Sequence, residues 1–365
     1  MTATLDRELP APTIASAPEE PPAKRRMTRD EMMEVAAPAL SAGAVVFLLF
    51  HLTQWNAPLG FVICWFLGFI TIYGILVRQR HGVVEAKDKL ATVSILGGAA
   101  LALIPLFLIF FFVLSKGLQA LFASFPHFLT HDMRGVRPTD PVRAAGMKHA
   151  IIGSLEQVGL ATIVTVPIGV LAATYLNEVG GRFAAIVRTI ADSMTGLPTI
   201  IAGLFVYSFW VKPRHTNGAS GFAAAMALAI IMLPTIVRSA EEVLRIVSDN
   251  LREAALALGA PEWRMILKVV IPTARAGLVT ASILGVARAV GETAPVLLTA
   301  FGTSSTNLNP FKGVQADLPL QIYDLIKLDL PNPRAEAWGG ALLLVFIVLT
   351  LFTLARILSS LGPSK

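Results

Sequence analysis

Two charged side chains interrupt an apolar run in "GVARAVGETAPVLLTAFG", which begins at Gly285. Arg288 and Glu292 would each cost roughly 2.5–3.5 kcal/mol at the centre of a bilayer on insertion scales, so each needs a partner or a purpose. At i and i+4 of one helix they share a face and can pair, although arginine before glutamate is the less favourable order. One reading is a salt bridge that staples this helix to a neighbour. The other is an anion pathway. The guanidinium of Arg288 offers a rigid fork of donors that matches a tetrahedral oxyanion, and Thr293 adds a hydroxyl. Pro295 has no N–H, so the carbonyl of Gly291 loses its helical partner. Glu292 separates the candidate anions: a carboxylate repels a fully ionised anion but accepts a hydrogen bond from one that keeps a proton. Phosphate near neutral pH keeps one and sulfate does not.

Two further stretches carry chemistry. In "NLREAALALGAPEW", from Asn250, the spacing predicts a short helix with both ends specified. Asn250 serves as N-cap with Glu253 at the third helical position. Leu251, Ala254, Ala255 and Leu258 share one face. Gly259 suits the left-handed residue that closes a helix, and Pro261 prevents continuation. So short a helix is marginal alone; with small residues that permit close approach, it either caps the bundle or docks on another protein. In "DSMTGLPTIIAGLFVY", from Asp192, Pro198 frees the carbonyl of Met194 and Thr199 supplies a hydroxyl. This is either a proline-kinked span or a contributor to a substrate path.

The elements that position these residues are membrane helices. The chain has 365 residues, 55% of them hydrophobic and 15% charged, with a mean hydropathy of +0.67; a soluble domain has about 25% charged residues. Apolar runs long enough to span a bilayer lie near 36–55, 58–77, 91–114, 151–176, 184–211, 221–240, 271–301 and 337–358. With the N-terminus in the cytoplasm, the inner segments carry the larger share of Lys and Arg, and an even number of spans places both termini and the Asn250 helix inside. The first 35 residues, rich in Pro, Ala and Glu with a basic "KRRMTR", read as a disordered cytoplasmic tail; no cleavable signal peptide is expected. Two long outer segments, 115–150 and 302–336, follow from this topology. The second holds "LPLQIYDLIKLDLP", an amphipathic helix that lies on the membrane or receives an extracytoplasmic partner.

The residues resemble a known family. "EAALALGAPEWRMILKVVIP" is similar to the cytoplasmic loop signature of ABC importer permeases, on Glu253, Ala254, Ala255, Gly259, Ile271 and Pro272. In that family the short helix docks into a cleft of a cytoplasmic ATPase and transmits its closure. "ARAVGETAPVLLTAFG" and the Pro198 stretch resemble the phosphate-specific permeases, A-type subunit, with Thr199 where serine is usual. The resemblance implies an all-α integral membrane protein of about eight transmembrane helices. Six of them, within 91–358, would form a type I importer core, preceded by two extra helices in 36–90 and followed by a short tail, 359–365. It also implies a plasma (inner) membrane location in bacteria, a homologous second permease, a dimer of ATPases and an extracytoplasmic phosphate-binding protein. Arg288, Glu292, Thr293, Pro198 and Thr199 would then line the pathway. The extra helices could sit at the periphery, contact the partner permease or bind a regulator.

Several classes are excluded. The net charge of +6 is scattered rather than gathered in a patch, against nucleic acid as partner; membrane lipid is the expected surroundings. Cys64 is the sole cysteine, so there is no internal disulfide or cysteine metal cluster, and the six histidines form no ligand pattern. No cofactor is expected. Without a Walker phosphate loop the chain does not itself hydrolyse ATP, and no nucleophile has a recognisable setting, so a transport subunit is expected rather than an enzyme. Two rivals stay open: an importer for sulfate or molybdate, and an ATP-independent secondary transporter. The absence of an evident inverted repeat of broken helices counts against the latter.

Overall fold

The structure, a computed structural model, describes residues 29–53 and 57–360. The expected N-terminal tail lies outside them up to residue 28, and a helix already begins at Arg29. Chain order gives α1 (Arg29–Thr53), α2 (Pro58–His81), α3 (Val83–Ala123), α4 (His127–Thr130), α5 (Lys148–Thr174), α6 (Gly181–Thr195), α7 (Thr199–Val206), α8 (Gly221–Arg245), α9 (Asp249–Ala257), α10 (Glu262–Met265), α11 (Ile271–Val290), α12 (Ala294–Thr299), α13 (Leu318–Lys327) and α14 (Pro331–Ser360). Wide-turn π segments extend α5 (Tyr175–Val179) and α7 (Tyr207–Val211), and one leads into α11 (Ile266–Val270). Among the described residues, seven helices are long and apolar enough to cross a membrane, or eight if the bent pair α6–α7 is one span. The all-α fold with about eight spans expected from the sequence is what forms.

The chain divides into two compact units, at Phe107/Leu108 within α3. In the first, α1 packs on α2 through Ala42, Phe69, Tyr73 and Val77. Buried Glu34 accepts a hydrogen bond from Lys89 at 3.0 Å, and the His81 ring lies 2.8 Å from its other oxygen.

The second unit is built around α8, whose apolar face is the most deeply buried stripe in the molecule. Ile236 of α8 is fully enclosed because glycines face it from both sides. A Cβ at Gly169 of α5 would sit 2.6 Å from Ile236 Cγ2, and one at Gly285 of α11 would sit 2.4 Å from Cγ1. Small residues let three helices meet closely where lipid supplies no hydrophobic drive. Two expected spans are interrupted. The run 184–211 is bent by 105° between α6 and α7, and the run 271–301 breaks between α11 and α12.

The long segments 115–150 and 302–336 fold against each other, and the second folds onto α5. Asp132 accepts hydrogen bonds from the N–H and hydroxyl of Thr306 at 2.9 and 3.1 Å. Ser154 of α5 receives the N–H of Leu318 at 2.8 Å, Gln157 donates to Gln315 at 3.2 Å, and His149 pairs with Gln321 at 3.2 Å. The amphipathic α13 buries Leu318, Leu320 and Leu325 and keeps Tyr323 and Ile326 exposed. Asp317 caps it by accepting the N–H of Leu320 at 2.9 Å.

Two outcomes follow. Gly285→Ala should overpack against Ile236 at about 1–3 kcal/mol and lower the thermal unfolding midpoint of the purified protein, and adding Ile236→Val should restore part of the loss. Burial pushes the Asp317 carboxyl up to about 7. The folded state therefore holds this proton more tightly than the unfolded chain, whose carboxyl stays near the ordinary value. Stability from this site is present at low pH and falls as pH rises through about 7. Amide exchange within residues 318–327, corrected for intrinsic rate, should be slower at about pH 5 than at about pH 8, and Asp317→Asn should remove the difference.

Candidate functional site: two helix breaks and a cytoplasmic-type loop helix

Pro198 ends α6 early because the residue before a proline is pushed out of helical conformation. The chain turns at Gly196–Pro198, and Pro198 (φ −58°, ψ 134°) caps α7, with Thr199 as its first residue. On the inner side of this bend, Thr195, Leu197, Pro234 and Arg288 line a small cavity. The second break starts at Gly291 (φ −93°, ψ 0°). The Glu292 N–H reaches Ala289 at 3.1 Å, and α12 restarts at Ala294 with Pro295 in its first turn. The two breaks meet: a Cβ at Gly203 of α7 would lie 2.7 Å from the Cα of Pro295, so the backbones of α7 and α12 touch.

This corrects the i, i+4 pair expected from the sequence. Arg288 sits in the last turn of α11 and Glu292 in the interruption, so they do not share a helix face and form no ion pair. Gly291 ends the helix and Pro295 cannot donate back to it, and the chain leaves the helical path between the two charges. Arg288 instead donates to Thr235 Oγ1 of α8 at 3.4 Å. Glu292, half-buried, and the Thr293 hydroxyl make no side-chain hydrogen bond among the described residues. Pro198 is exposed and Thr199 half-buried. Broken helices are thus present, which weakens the argument counted against a secondary transporter from the sequence.

Sequence reasoning passed over the charges that hold α6. Glu241 of α8, 1% exposed, accepts hydrogen bonds from Arg188 at 2.7 Å, Arg238 at 3.2 Å and Arg245 at 3.1 Å, and Arg238 also pairs with Asp192. The signal was an acid at the end of an apolar run, which is costly unless paired.

The short helix forms as α9, two residues earlier than expected. Ser248, not Asn250, occupies the N-cap, and no side chain caps the helix. Glu253 is therefore past the third position, and the expected capping box is not made. Arg252 secures the entrance instead, bonded to Asp249 Oδ1 at 3.0 Å and to the carbonyl of Val247 at 2.6 Å. The exit is as expected: Gly259 has φ +79°, its N–H bonds Leu256 at 2.9 Å, and that of Ala260 bonds Ala255 at 3.2 Å, the paired closure of a Schellman turn. Ala255 tucks into the cluster with Leu244 and Met265. Glu253 and Ala254 are exposed, as are Leu251 at 43% and Leu258 at 89%. The expected apolar face therefore exists and is largely uncovered by its own chain.

Residues 165–361 match the family of binding-protein-dependent transport system inner membrane components. The chain belongs to this family. It is also similar to the phosphate transport system permease protein PstA 1 of Mycobacterium tuberculosis, 41% identical over 73% of this chain and 86% of that one. The PstA protein of Mycobacterium leprae is 38% identical over 76% and 89%. A solved MetNI methionine ABC transporter aligns at 22% identity and a TM-score of 0.46, over 59% of this chain and 96% of that one. Membership makes the chain a multi-pass inner-membrane permease component and decides the transporter class that the helix breaks alone left open.

In this permease component nothing lies within 4 Å of a Cβ at Gly259, so a substitution there acts through the backbone alone. Gly259→Ala should loosen the end of α9 by about 1–2 kcal/mol, the cost of left-handed backbone for an L-residue. The readout is faster exchange of the amides of residues 258–260, with the transmembrane helices unchanged.

Proposed function

We propose that this chain is the A-type transmembrane subunit of an ATP-driven importer of inorganic phosphate. Its partners in this reading are a homologous second permease, a cytoplasmic ATPase dimer gripping α9 at Glu253, Ala254, Ala255 and Gly259, and an extracytoplasmic phosphate-binding protein. Both termini face the cytoplasm, and residues 36–90 form an accessory helical pair outside the importer core. The similarity to phosphate permease proteins supports the substrate. The observation that carries the site is Arg288: a guanidinium in a membrane helix with no carboxylate partner, beside the junction of two broken helices. A staple needs its counter-ion, and among the described residues Arg288 bonds only a hydroxyl. Its free donors are available to a tetrahedral anion, while Thr199 and Thr293 offer hydroxyls from the two breaks. Glu292, with no partner among the described residues, can accept a hydrogen bond from the remaining O–H of hydrogen phosphate and repels sulfate. Transport proceeds by alternating access: binding-protein docking and ATP-driven closure open the path to one side and then the other.

Radiolabelled phosphate uptake by the assembled importer, with sulfate as competitor, tests this. Arg288→Lys keeps the charge but loses the planar fork and should lower uptake about ten-fold, or ~1.4 kcal/mol. Glu292→Gln should leave assembly intact and let sulfate compete. A charge-exchanged protein, Arg288→Glu with Glu292→Arg, that still imports phosphate selectively at a near-normal rate would place the anion path elsewhere.

A further inference from the structure

We propose that the Arg252–Glu178 ion pair is the linkage that carries displacement of α9 to the broken helix beside Arg288. The inference rests on the reading above that α9 is driven by an ATPase.

All five N–H donors of the Arg252 guanidinium are used. Nε and Nη2 donate to the two oxygens of Glu178 at 3.1 and 2.9 Å. Nη2 also reaches the carbonyl of Leu244 at 3.1 Å, and Nη1 those of Val247 and Asp249 at 2.6 and 3.0 Å, the last through the carboxylate. One side chain on α9 therefore grips three segments: the end of α5, the chain leaving α8, and the first turn of α9 itself. The pair is shielded, with side chains 15% and 3% exposed. A bidentate, shielded arginine–carboxylate contact resists both stretching and rotation, unlike an exposed pair. By contrast, α9 has no buried side chain of its own.

Glu178 sits where a pull has an effect. It lies in the π segment Tyr175–Val179, a wide turn of the kind found at functional sites. Gly180 and Gly181 follow directly, at φ +68° and +85°, with nothing within 4 Å of either Cβ position. With no Cβ to collide with its surroundings, this glycine pair can serve as a swivel between α5 and α6. Beyond them α6 runs as one rod, clamped to α8 by Arg188–Glu241 and Arg238–Asp192, to the 105° bend whose inner side includes Arg288. A cavity of about 390 Å³ beside Glu178, Arg252 and Glu262 leaves room for the linkage to shift. The route is therefore α9, Arg252, Glu178, the glycine swivel, α6, and the bend.

The test uses the complete importer in liposomes with its binding protein and measures anion uptake per ATP hydrolysed, for Arg252→Ala, Glu178→Ala, the double variant and Arg252→Lys. The linkage predicts that each alanine variant assembles, still hydrolyses ATP and loses about ten-fold in uptake per ATP, and that the double variant loses no more than either single, since both act through one contact. If the alanine variants fail to assemble, Arg252→Lys decides. It has three donors and cannot hold all three segments, so it should assemble with an intermediate ratio. Losses that multiply in the double variant would overturn the proposal, as would a lysine variant with the wild-type ratio or one that also fails to assemble. The substrate reading fails separately: if the wild-type importer moves another anion, the same ratios measured with that anion still judge the linkage.

Discussion

A helix that stops inside a bilayer leaves backbone groups that lipid cannot satisfy, so it must stop against protein or a water-lined path. That constraint organises the second unit of this molecule. The interruptions at Gly196–Pro198 and Gly291–Thr293 are brought together, with Gly203 of α7 seated on Pro295 of α12. Arg288, the one charge of α11 near this junction, reaches across to Thr235 of α8. The breaks are costly in isolation. Together they bring the backbones of α7 and α12 into contact, and Arg288 lines a small cavity with Thr195 and Leu197 at the first break.

Two shielded carboxylates of this unit are satisfied by arginines. Glu241 is enclosed by Arg188, Arg238 and Arg245, and Glu178 by Arg252. Removing one partner from such a group leaves an uncompensated charge, which is far more destabilising than replacing the whole cluster. The paired charges therefore tie α5, α6, α8 and α9 to one another, whereas Arg288 and Glu292 have no charged partner among the described residues. The segment 302–336 is tied to α5 by uncharged contacts from Ser154, Gln157 and His149, which hold a long loop region in place.

The loop helix α9 links these two sets of interactions. Its exposed leucines and alanines are of little use to the chain itself, while its arginine is fully committed to the interior. Such a surface, apolar outward and anchored inward, is what the proposed coupling to another protein requires.

The sequence by itself determined the helical class, the number of spans and the closing turn of α9, because each depends on local patterning: apolar run length, or a glycine followed by a proline. It also identified Arg288, Glu292, Pro198 and Thr199 as residues out of place in lipid. Their surroundings came only with folding. Apolar runs read the same whether a helix is continuous or broken, so the run 271–301 concealed the interruption that separates Arg288 from Glu292. The start of α9 also lay beyond local rules, since Arg252 holds it through Glu178, a residue distant in sequence. Glu178, Arg188 and Glu241 were ordinary charges near span ends until folding set each beside its partner. An ion pair between distant segments has no periodicity to betray it, and the meaning of a membrane charge depends on which partners the fold supplies or withholds.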